Sequence, residues 1–548
     1  MRRRIFVWLG TVCLVCGLLL TGCRDDGSGK GFRFPLTGEP SQLDPQAAAD
    51  QPSVVLSSVL FEGLTRREED GSVVPAAADW TVSPDGLTYT FRLRESCWST
   101  LSIRGETTPW DEPTPVTADD FVFGLQRVVS PETRSPYAAE LDGIVNAEAV
   151  RTGKKKPAAL GVTATDDRTL TVRLTAPDPD FPAKAASTAY LPCNRTFFEY
   201  TRGRYGLEKQ TVLTNGPFVL AAWNHGDSLL LHKNEGYHAA AEIRPTAVRF
   251  VIGTEDETAA LLSGTLDAGV LTPDRRENAI RAGVTTVTLR DSIRAVWFNT
   301  GNTLLKNASM RRALRDAVAW KTVYAYLETA GEPTATGFVA PDALCGTAAY
   351  RETAKALTFR TDAAAARKSL ATAVKETTPT GMTAQTPQFA VLAADDEVSA
   401  NLARYLVQSW QKNLGIGLTL ELVPEARVNA RLQSGNYQIA VAVTTADGLT
   451  AARNLQYTFG KNSAGNYSLY TGSSVETALN AAQAAVSDPV ALQKAEAALY
   501  KASPQLPLSF PVRTYGIAAG DTGVTVRPFG GGELGCPFGF RGALKFEE

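Results

Sequence analysis

Histidine and methionine are scarce in this chain of 548 residues, with three of each. Imidazole is a frequent metal ligand and general base, so this scarcity argues against catalysis by several histidines and against a histidine-rich metal cage. The charges nearly cancel, because 55 Lys and Arg residues face 57 Asp and Glu residues. A nucleic-acid-binding protein needs a basic surface that displaces the counterions of phosphates. The composition therefore does not favour a nucleic acid as a partner.

Local signatures of catalysis are also missing, since the sequence has no GxSxG, HExxH or P-loop motif. Gly530–Gly535 fits GxGxxG, but the chain ends 13 residues later, too soon for the rest of a dinucleotide-binding fold. His225, His232 and His238 lie close in sequence without a cysteine, and we interpret them as surface or loop residues. We therefore expect no enzyme, no metal and no cofactor. A hydrolase with paired carboxylates stays open, because acidic residues are common.

The cysteines do not form a metal or redox motif. Cys97, Cys193, Cys345 and Cys536 lie far apart and include no CxxC pair. Outside the cytoplasm four cysteines permit two disulfides in three connectivities, and buried free thiols are an equal alternative.

The N-terminus has the pattern of an export signal. Three arginines precede the uncharged apolar run Ile5–Leu20, which is shorter than the roughly 20 residues of a membrane span. The following Leu20–Cys23 resembles the lipobox of bacterial lipoproteins, in which the cysteine is lipidated and begins the mature chain. The resemblance implies a signal peptide over 1–22, a lipid anchor on Cys23 and a flexible tether over 23–30. An uncleaved anchor or an ordinary secretory signal is the alternative.

The rest of the chain alternates between strand and helix patterns. Tyr89–Leu93 and Leu170–Leu174 alternate like half-buried strands, and Thr117 is placed to cap a helix that ends before Pro131. Residues 391–423 predict a β-α-β unit, which implies parallel strands covered by helices. Asn215-Gly216 predicts a tight turn with positive φ. The sequence therefore indicates a mixed α/β protein of several lobes.

Ten short blocks occur in a fixed order along almost all of residues 31–548. They are Ser41–Pro45, Leu60–Leu64, Pro115–Phe121, Ser135–Ala138, Leu160–Val162 with Asp166–Leu170, Thr214–Phe218 with Trp223, Lys233–Tyr237, Ser263–Asp267, Arg311–Leu314 and Asn413–Ile416. In this order they resemble the extracytoplasmic solute-binding proteins of bacterial ABC importers, specifically the oligopeptide, dipeptide and nickel-binding family.

The resemblance implies a two-lobed periplasmic-binding-protein fold of type II with mixed sheets and a ligand cleft between the lobes. Lobe I is expected to combine 31–62, 188–292 and 515–548, with 63–187 as an inserted subdomain. Lobe III is expected to be 293–514. The crossovers near residues 292 and 514 are then the hinge.

The resemblance also implies the function. We expect a monomeric lipoprotein on the extracytoplasmic side of the membrane that captures peptides, oligopeptides first, and delivers them to an ABC permease. A partner ATPase would hydrolyse ATP. Alternatives are a different cargo, such as a nickel chelate, haem or an oligosaccharide, or a sensor or hydrolase that keeps the fold.

Ligand residues follow from the same resemblance. Peptide-binding relatives hold the ligand as an added strand, and the matching positions are Gln51, Tyr137, Val443 and Thr445. Asp447 matches an aspartate that pairs with the peptide's amino group, although Asp447-Gly448 is also a common turn dipeptide. The sequence departs from the pattern at Thr444, where relatives often have tryptophan, and at Ser399, where some have a histidine near the ligand's carboxylate. Both departures predict a roomier or differently charged cleft.

Overall fold

The structure is a computed structural model that describes residues 31–68, 73–102, 107–446, 448–461, 463, 465–519, 524–526 and 538–539. The predicted signal peptide, the tether, Cys23, Asp447 and Cys536 lie outside the described residues. Within the described ranges, no helix has both the length and the apolar character needed to cross a membrane.

The strands number 22 across the described residues. They are β1 Phe32–Leu36, β2 Thr65–Arg67, β3 Val73–Pro75, β4 Ala78–Val82, β5 Thr88–Leu93, β6 Val162–Asp166, β7 Thr169–Arg173, β8 Phe218–Asn224, β9 Ser228–Lys233, β10 Ala247–Ile252, β11 Ala268–Leu271, β12 Thr285–Leu289, β13 Ser292–Phe298, β14 Leu344–Cys345, β15 Ala348–Ala349, β16 Gln388–Ala394, β17 Gly417–Val423, β18 Ile439–Thr445, β19 Gln505–Ser509, β20 Arg513–Ile517, β21 Thr525–Val526 and β22 Phe538–Gly539.

The α-helices of the described residues flank these strands. They are α1 Gln51–Leu60, α2 Ala118–Val129, α3 Ala147–Arg151, α4 Phe181–Lys184, α5 Arg195–Tyr200, α6 Glu257–Leu262, α7 Arg276–Arg281, α8 Thr303–Lys306, α9 Ala308–Ala317, α10 Trp320–Thr329, α11 Tyr350–Thr353, α12 Ala363–Thr377, α13 Glu397–Leu414, α14 Glu425–Gln433, α15 Ala451–Phe459, α16 Ser473–Ala484 and α17 Pro489–Ala502.

The main sheets divide between two parts of the molecule. The first part contains the sheets β1-β10-β9-β8 and β11-β20-β12, together with the antiparallel sheet β4-β5-β7-β6. The second part contains the five-stranded sheet β17-β16-β18-β13-β19. The class is therefore α/β with mixed sheets.

The apolar cores follow the same division. The largest core of the first part draws on buried residues from Phe34 to Leu289 and again from Tyr515 to Val524. The cores of the second part draw on buried residues from Ile293 to Phe510. Because each part buries its own apolar residues, we call them the first lobe and the second lobe. The sheets change between Leu289 and Ser292 and between Ser509 and Arg513, while the domain boundaries inferred from sequence stay a prediction.

The predicted local elements are present. Helix α2 begins after Thr117, whose backbone N–H donates to Asp120 Oδ2 at 2.8 Å. Strands β16 and β17 are parallel and are joined by α13, which ends at Gly415 with φ +67°. These findings confirm the capped helix and the β-α-β unit.

The prediction of a tight turn at Asn215-Gly216 is wrong in its backbone conformation. Neither residue has a positive φ. A Cβ atom at Gly216 would lie 2.7 Å from the carbonyl carbon of Leu60, and Gly216 N donates to Leu60 O at 3.0 Å. Glycine is needed here because two backbones approach closely, not because the chain turns left-handed.

The structure shows the state of three cysteines and the positions of the histidines. Cys97, Cys193 and Cys345 are free thiols, and burial raises the pKa of Cys193 to about 12. His225 is exposed between Glu39 and Glu208, whereas His238 is half-buried, 2.7 Å from Glu62 Oε2. The interpretation as surface or loop residues is confirmed, because His225 and His232 are exposed and His238 lies in the loop that follows β9, where it contacts the buried Glu62.

Candidate functional site

The second-lobe sheet has a switch point between β16 and β18. These strands are parallel neighbours, paired from Val391 with Ile439 to Ala393 with Val441. Helix α13, which follows β16, packs in the core on one face of the sheet, and α14, which precedes β18, packs in the cluster on the other face. Open α/β sheets bind ligands at the carboxyl edge where the connections diverge in this way.

The end of β18 extends beyond its β16 partner. Val443 and Thr445 lie opposite Arg294 and Ser292 of β13, and both are half-exposed. On the side where β16 has ended, no described backbone group pairs with residues 443–445. An unpaired strand edge offers N–H and C=O groups to another extended chain. The structure therefore places Val443 and Thr445 on an open backbone edge.

Gln51 and Tyr137 lie together in the first lobe. Gln51 is the first residue of α1, and its Oε1 accepts a hydrogen bond from Thr37 Oγ1 at 2.9 Å. Tyr137 Oη donates to the carbonyl of Ala48, three residues before Gln51, at 2.6 Å. Two of the predicted residues thus share one region of the first lobe, while Val443 and Thr445 share the edge of the second.

The two lobes contact each other just after β18. Arg453 Nη1 of the second lobe lies 3.7 Å from Asp180 Oδ2 of the first. Beside this contact and within the first lobe, Arg67 Nη2 donates to Ala183 O at 3.1 Å. Burial raises the pKa of Asp180, although nearby Arg453 and Arg67 oppose the rise. Two guanidinium groups and one carboxylate therefore mark this contact.

Gly448 lies between these two arginines. It directly follows Asp447, the residue predicted to pair with the amino group of the peptide. Its φ is +81°, and a Cβ atom there would lie 2.9 Å from Arg67 Nη1 and 2.6 Å from Arg453 Cγ. Glycine is therefore required at this position by conformation and by space. The left-handed conformation agrees with a turn at Asp447-Gly448; Asp447 itself lies outside the described residues.

A buried ion pair lies next to the half-exposed end of β18, on the neighbouring strand β13. Arg294 donates from Nε and Nη2 to the carboxylate of Glu332 at 3.0 and 2.7 Å, and from Nη1 to Ser399 Oγ. Asp396 Oδ1 lies 3.8 Å from Arg294 Nη1. Ser399, noted in the sequence as a departure from the family pattern, is thus bound to an arginine.

Sequence reasoning missed Arg294, Glu332 and the arginines at the lobe contact. Arg294 carried a signal, because it is the charged residue within the apolar run Ile293–Phe298 and is itself buried. A charged residue in such a strand needs a partner. The partner, Glu332, is 38 residues away, and nothing local indicates it.

The two chain crossings between the lobes are joined by an ion pair. Asp291 precedes β13, Arg513 begins β20, and Arg513 Nη2 donates to Asp291 Oδ1 at 2.6 Å. The Asp291 side chain is fully buried. Beside it, Arg290 donates from Nε to Asp342 Oδ1 of the second lobe at 3.2 Å. The crossings are therefore tied to each other and to the second lobe.

A sequence model described as bacterial extracellular solute-binding proteins, family 5, middle region, matches residues 73–466. This match covers well over half of the chain. The chain belongs to that family. The resemblance found in the sequence blocks is confirmed, and the family is one of solute-binding proteins of transporters rather than of enzymes.

Individual relatives of this family 5 protein match most of its sequence. The oligopeptide-binding protein OppA of Bacillus subtilis (strain 168) is 27% identical over 449 residues, covering 78% of this chain and 79% of the relative. A dipeptide-binding protein of Lactococcus lactis subsp. cremoris (strain MG1363) is 26% identical over 540 residues, covering 93% and 94%.

Solved structures confirm the fold. The substrate-binding domain of an oligopeptide ABC transporter from Bacillus anthracis str. Ames matches with a TM-score of 0.70 at 24% identity, covering 93% of this chain and 97% of that chain. The murein tripeptide-binding protein MppA of Escherichia coli matches with a TM-score of 0.68 at 24% identity, covering 94% and 98%. The predicted two-lobed binding-protein fold is confirmed.

Proposed function

We propose that this family 5 protein captures peptides between its two lobes and delivers them to the permease of an ABC importer. A lipid on Cys23 anchors the monomer to the extracytoplasmic face of the membrane, and a partner ATPase supplies the energy. The protein itself performs no catalysis and binds no cofactor. Delivery uses the closed form, which a ligand stabilises through contacts with the second lobe.

The open backbone edge of β18 carries the peptide proposal. A peptide added beside residues 443–445 would complete the hydrogen bonds that β16 leaves unmade, and such contacts do not depend on side chains. Gln51 and Tyr137 would contact the ligand from the first lobe, and Asp447 would bind its amino group. The names of the B. subtilis and L. lactis relatives, oligopeptide-binding and dipeptide-binding, support the same cargo.

Mass spectrometry of small molecules released by denaturing the purified protein tests this function directly. Peptides of mixed sequence are expected in the released fraction. A nickel chelate, haem or an oligosaccharide in place of peptides would overturn the peptide assignment. As a second test, N-methylation of a backbone nitrogen in a bound peptide is expected to weaken binding about tenfold, because it removes one main-chain donor.

A further inference from the structure

A partly open cavity of about 100 Å³ lies at the switch point between β16 and β18. Val443 of the open edge lines it, together with Arg294 and Ser399. Asp396, which precedes α13, and Glu425, the first residue of α14, also line the cavity, and both residues are exposed. The cavity therefore has a buried inner part with hydrogen-bond donors and an outer part with two carboxylates and the half-exposed amide of Asn429.

The inner part contains a buried donor. The Ser399 residue is only 1% exposed, and its Oγ accepts a hydrogen bond from Arg294 Nη1. A hydroxyl has one hydrogen to donate, and among the described residues no acceptor for it lies within hydrogen-bond distance of Ser399 Oγ. Buried donors are almost always satisfied in folded proteins. The cavity wall therefore suits a ligand atom that accepts a hydrogen bond.

The charges around the cavity decide which acceptor fits. The guanidinium of Arg294 is already paired with both oxygens of Glu332, and Asp396 Oδ1 lies 3.8 Å from its Nη1. A ligand carboxylate would meet the carboxylates of Asp396 and Glu425 without a free countercharge, and like charges repel. An ammonium group would lie beside Arg294 and leave the Ser399 donor without an acceptor. A neutral acceptor satisfies both conditions.

We propose that this cavity binds the carboxamide of a ligand glutamine or asparagine side chain. The carbonyl oxygen accepts from the Ser399 hydroxyl, and the amide nitrogen donates toward the carboxylates of Asp396 and Glu425. This inference rests on the proposed peptide function and adds a side-chain preference to capture through the backbone.

Calorimetry on the full-length protein with a set of tetrapeptides tests the preference. Each peptide is tetra-alanine in which one of the four positions is replaced by Gln, Met, Glu or Lys. Gln and Met have similar length and differ in the amide. At one position the Gln peptide is expected to bind about tenfold more tightly than the Met peptide, while Glu and Lys give no gain.

Two serine variants assign the preference to the cavity. Ser399→Ala is expected to reduce the tenfold ratio between the Gln and Met peptides to about one. Ser409→Ala is the matched control, because Ser409 is a buried serine of the same helix whose hydroxyl donates to Tyr405 O at 2.7 Å. It is expected to keep the tenfold ratio.

Several outcomes would overturn the inference. Tighter binding of the Glu peptide would indicate a carboxylate site, and tighter binding of the Lys peptide a cation site. A Gln preference that persists in Ser399→Ala would exclude the serine as its cause. If all peptides bind equally, peptide capture stands and the carboxamide site is wrong; if none of them binds, the proposed function fails as well.

Discussion

The guanidinium of Arg294 and the carboxylate of Glu332 form two parallel hydrogen bonds, although neither side chain is more than 15% exposed. Glu332 also accepts from Ser509 Oγ at 2.5 Å. The pair thus joins β13, β19 and the segment after α10 at the edge where the ligand is proposed to bind.

Removing Glu332 is expected to destabilise the second lobe. Glu332→Ala removes the carboxylate that is hydrogen-bonded to the buried Arg294 and leaves only the more distant and more exposed Asp396, which is expected to cost about 3–5 kcal/mol. Urea unfolding of the variant and the wild type measures the loss. The control is Glu421→Ala, since Glu421 pairs with Arg431 at 2.7 Å in a more exposed position and is expected to cost less than about 1 kcal/mol. Equal losses in the two variants would contradict this account.

Asp120 is expected to make stability depend on pH. Burial raises its pKa to about 6, although Thr117 and Trp98 donate hydrogen bonds to the carboxylate. A pKa raised in the folded state gives a contribution to stability that is fully present below about pH 4 and is lost as the pH rises through 6. Asp120→Asn should therefore gain about 2–3 kcal/mol relative to the wild type between pH 4 and pH 7.

Urea unfolding at several pH values measures this difference. The neighbouring Asp119→Asn is the control, because Asp119 is exposed. We expect its difference from the wild type to change little over the same range. A constant difference for Asp120→Asn would show that Asp120 is ionised in both states.

Gly216→Ala is expected to lower the free energy of unfolding by about 1–3 kcal/mol, because the added methyl group would collide with the backbone of Leu60 and Phe61. Thermal or urea unfolding measures the effect. Gly143→Ala is the matched control, since a Cβ atom there has no neighbour within 4 Å, and its change should stay within about 1 kcal/mol. A neutral Gly216→Ala would mean that the two backbones separate easily.

Asp447→Ala is expected to weaken peptide binding by about 2–5 kcal/mol if Asp447 pairs with the ligand's amino group, the range for breaking a buried charged pair. N-acetylation of the peptide should weaken binding comparably. Calorimetry with free and acetylated peptides measures both effects. Unchanged affinity in both tests would leave Asp447 as a turn residue beside Gly448.

Scrambled peptides of equal length are expected to bind within about 3 kcal/mol of one another, since one well-filled side-chain pocket supplies no more than that. The tenfold preference proposed for the cavity lies inside this limit. Competition binding against one labelled peptide measures the spread. A wider spread would show that side chains rather than backbone groups determine affinity.

Local patterns predicted much of the fold. The alternation in Tyr89–Leu93, the capped start of α2 and the β-α-β unit all rest on contacts close in sequence, and each predicted element is present. Asn215-Gly216 was misread because the same dipeptide serves both turns and close packing. The deciding atoms belong to Leu60, more than 150 residues away, so no local pattern contains them.

The site was less predictable, for a related reason. The resemblance to family sequences predicts Val443 and Thr445 as ligand residues, and both lie at the half-exposed end of β18, but their role in binding stays a prediction. It did not identify Arg294 with Glu332, or Arg453 with Asp180, since each pair joins segments that meet only in the folded protein. Charge pairing over long separations cannot be read from periodicity or spacing.

The ion pair between Asp291 and Arg513 couples the two connections between the lobes. Two connections that are held side by side in this way are expected to bend together rather than separately. A movement of one lobe relative to the other would therefore displace both connections at once for as long as Arg513 stays bound to Asp291.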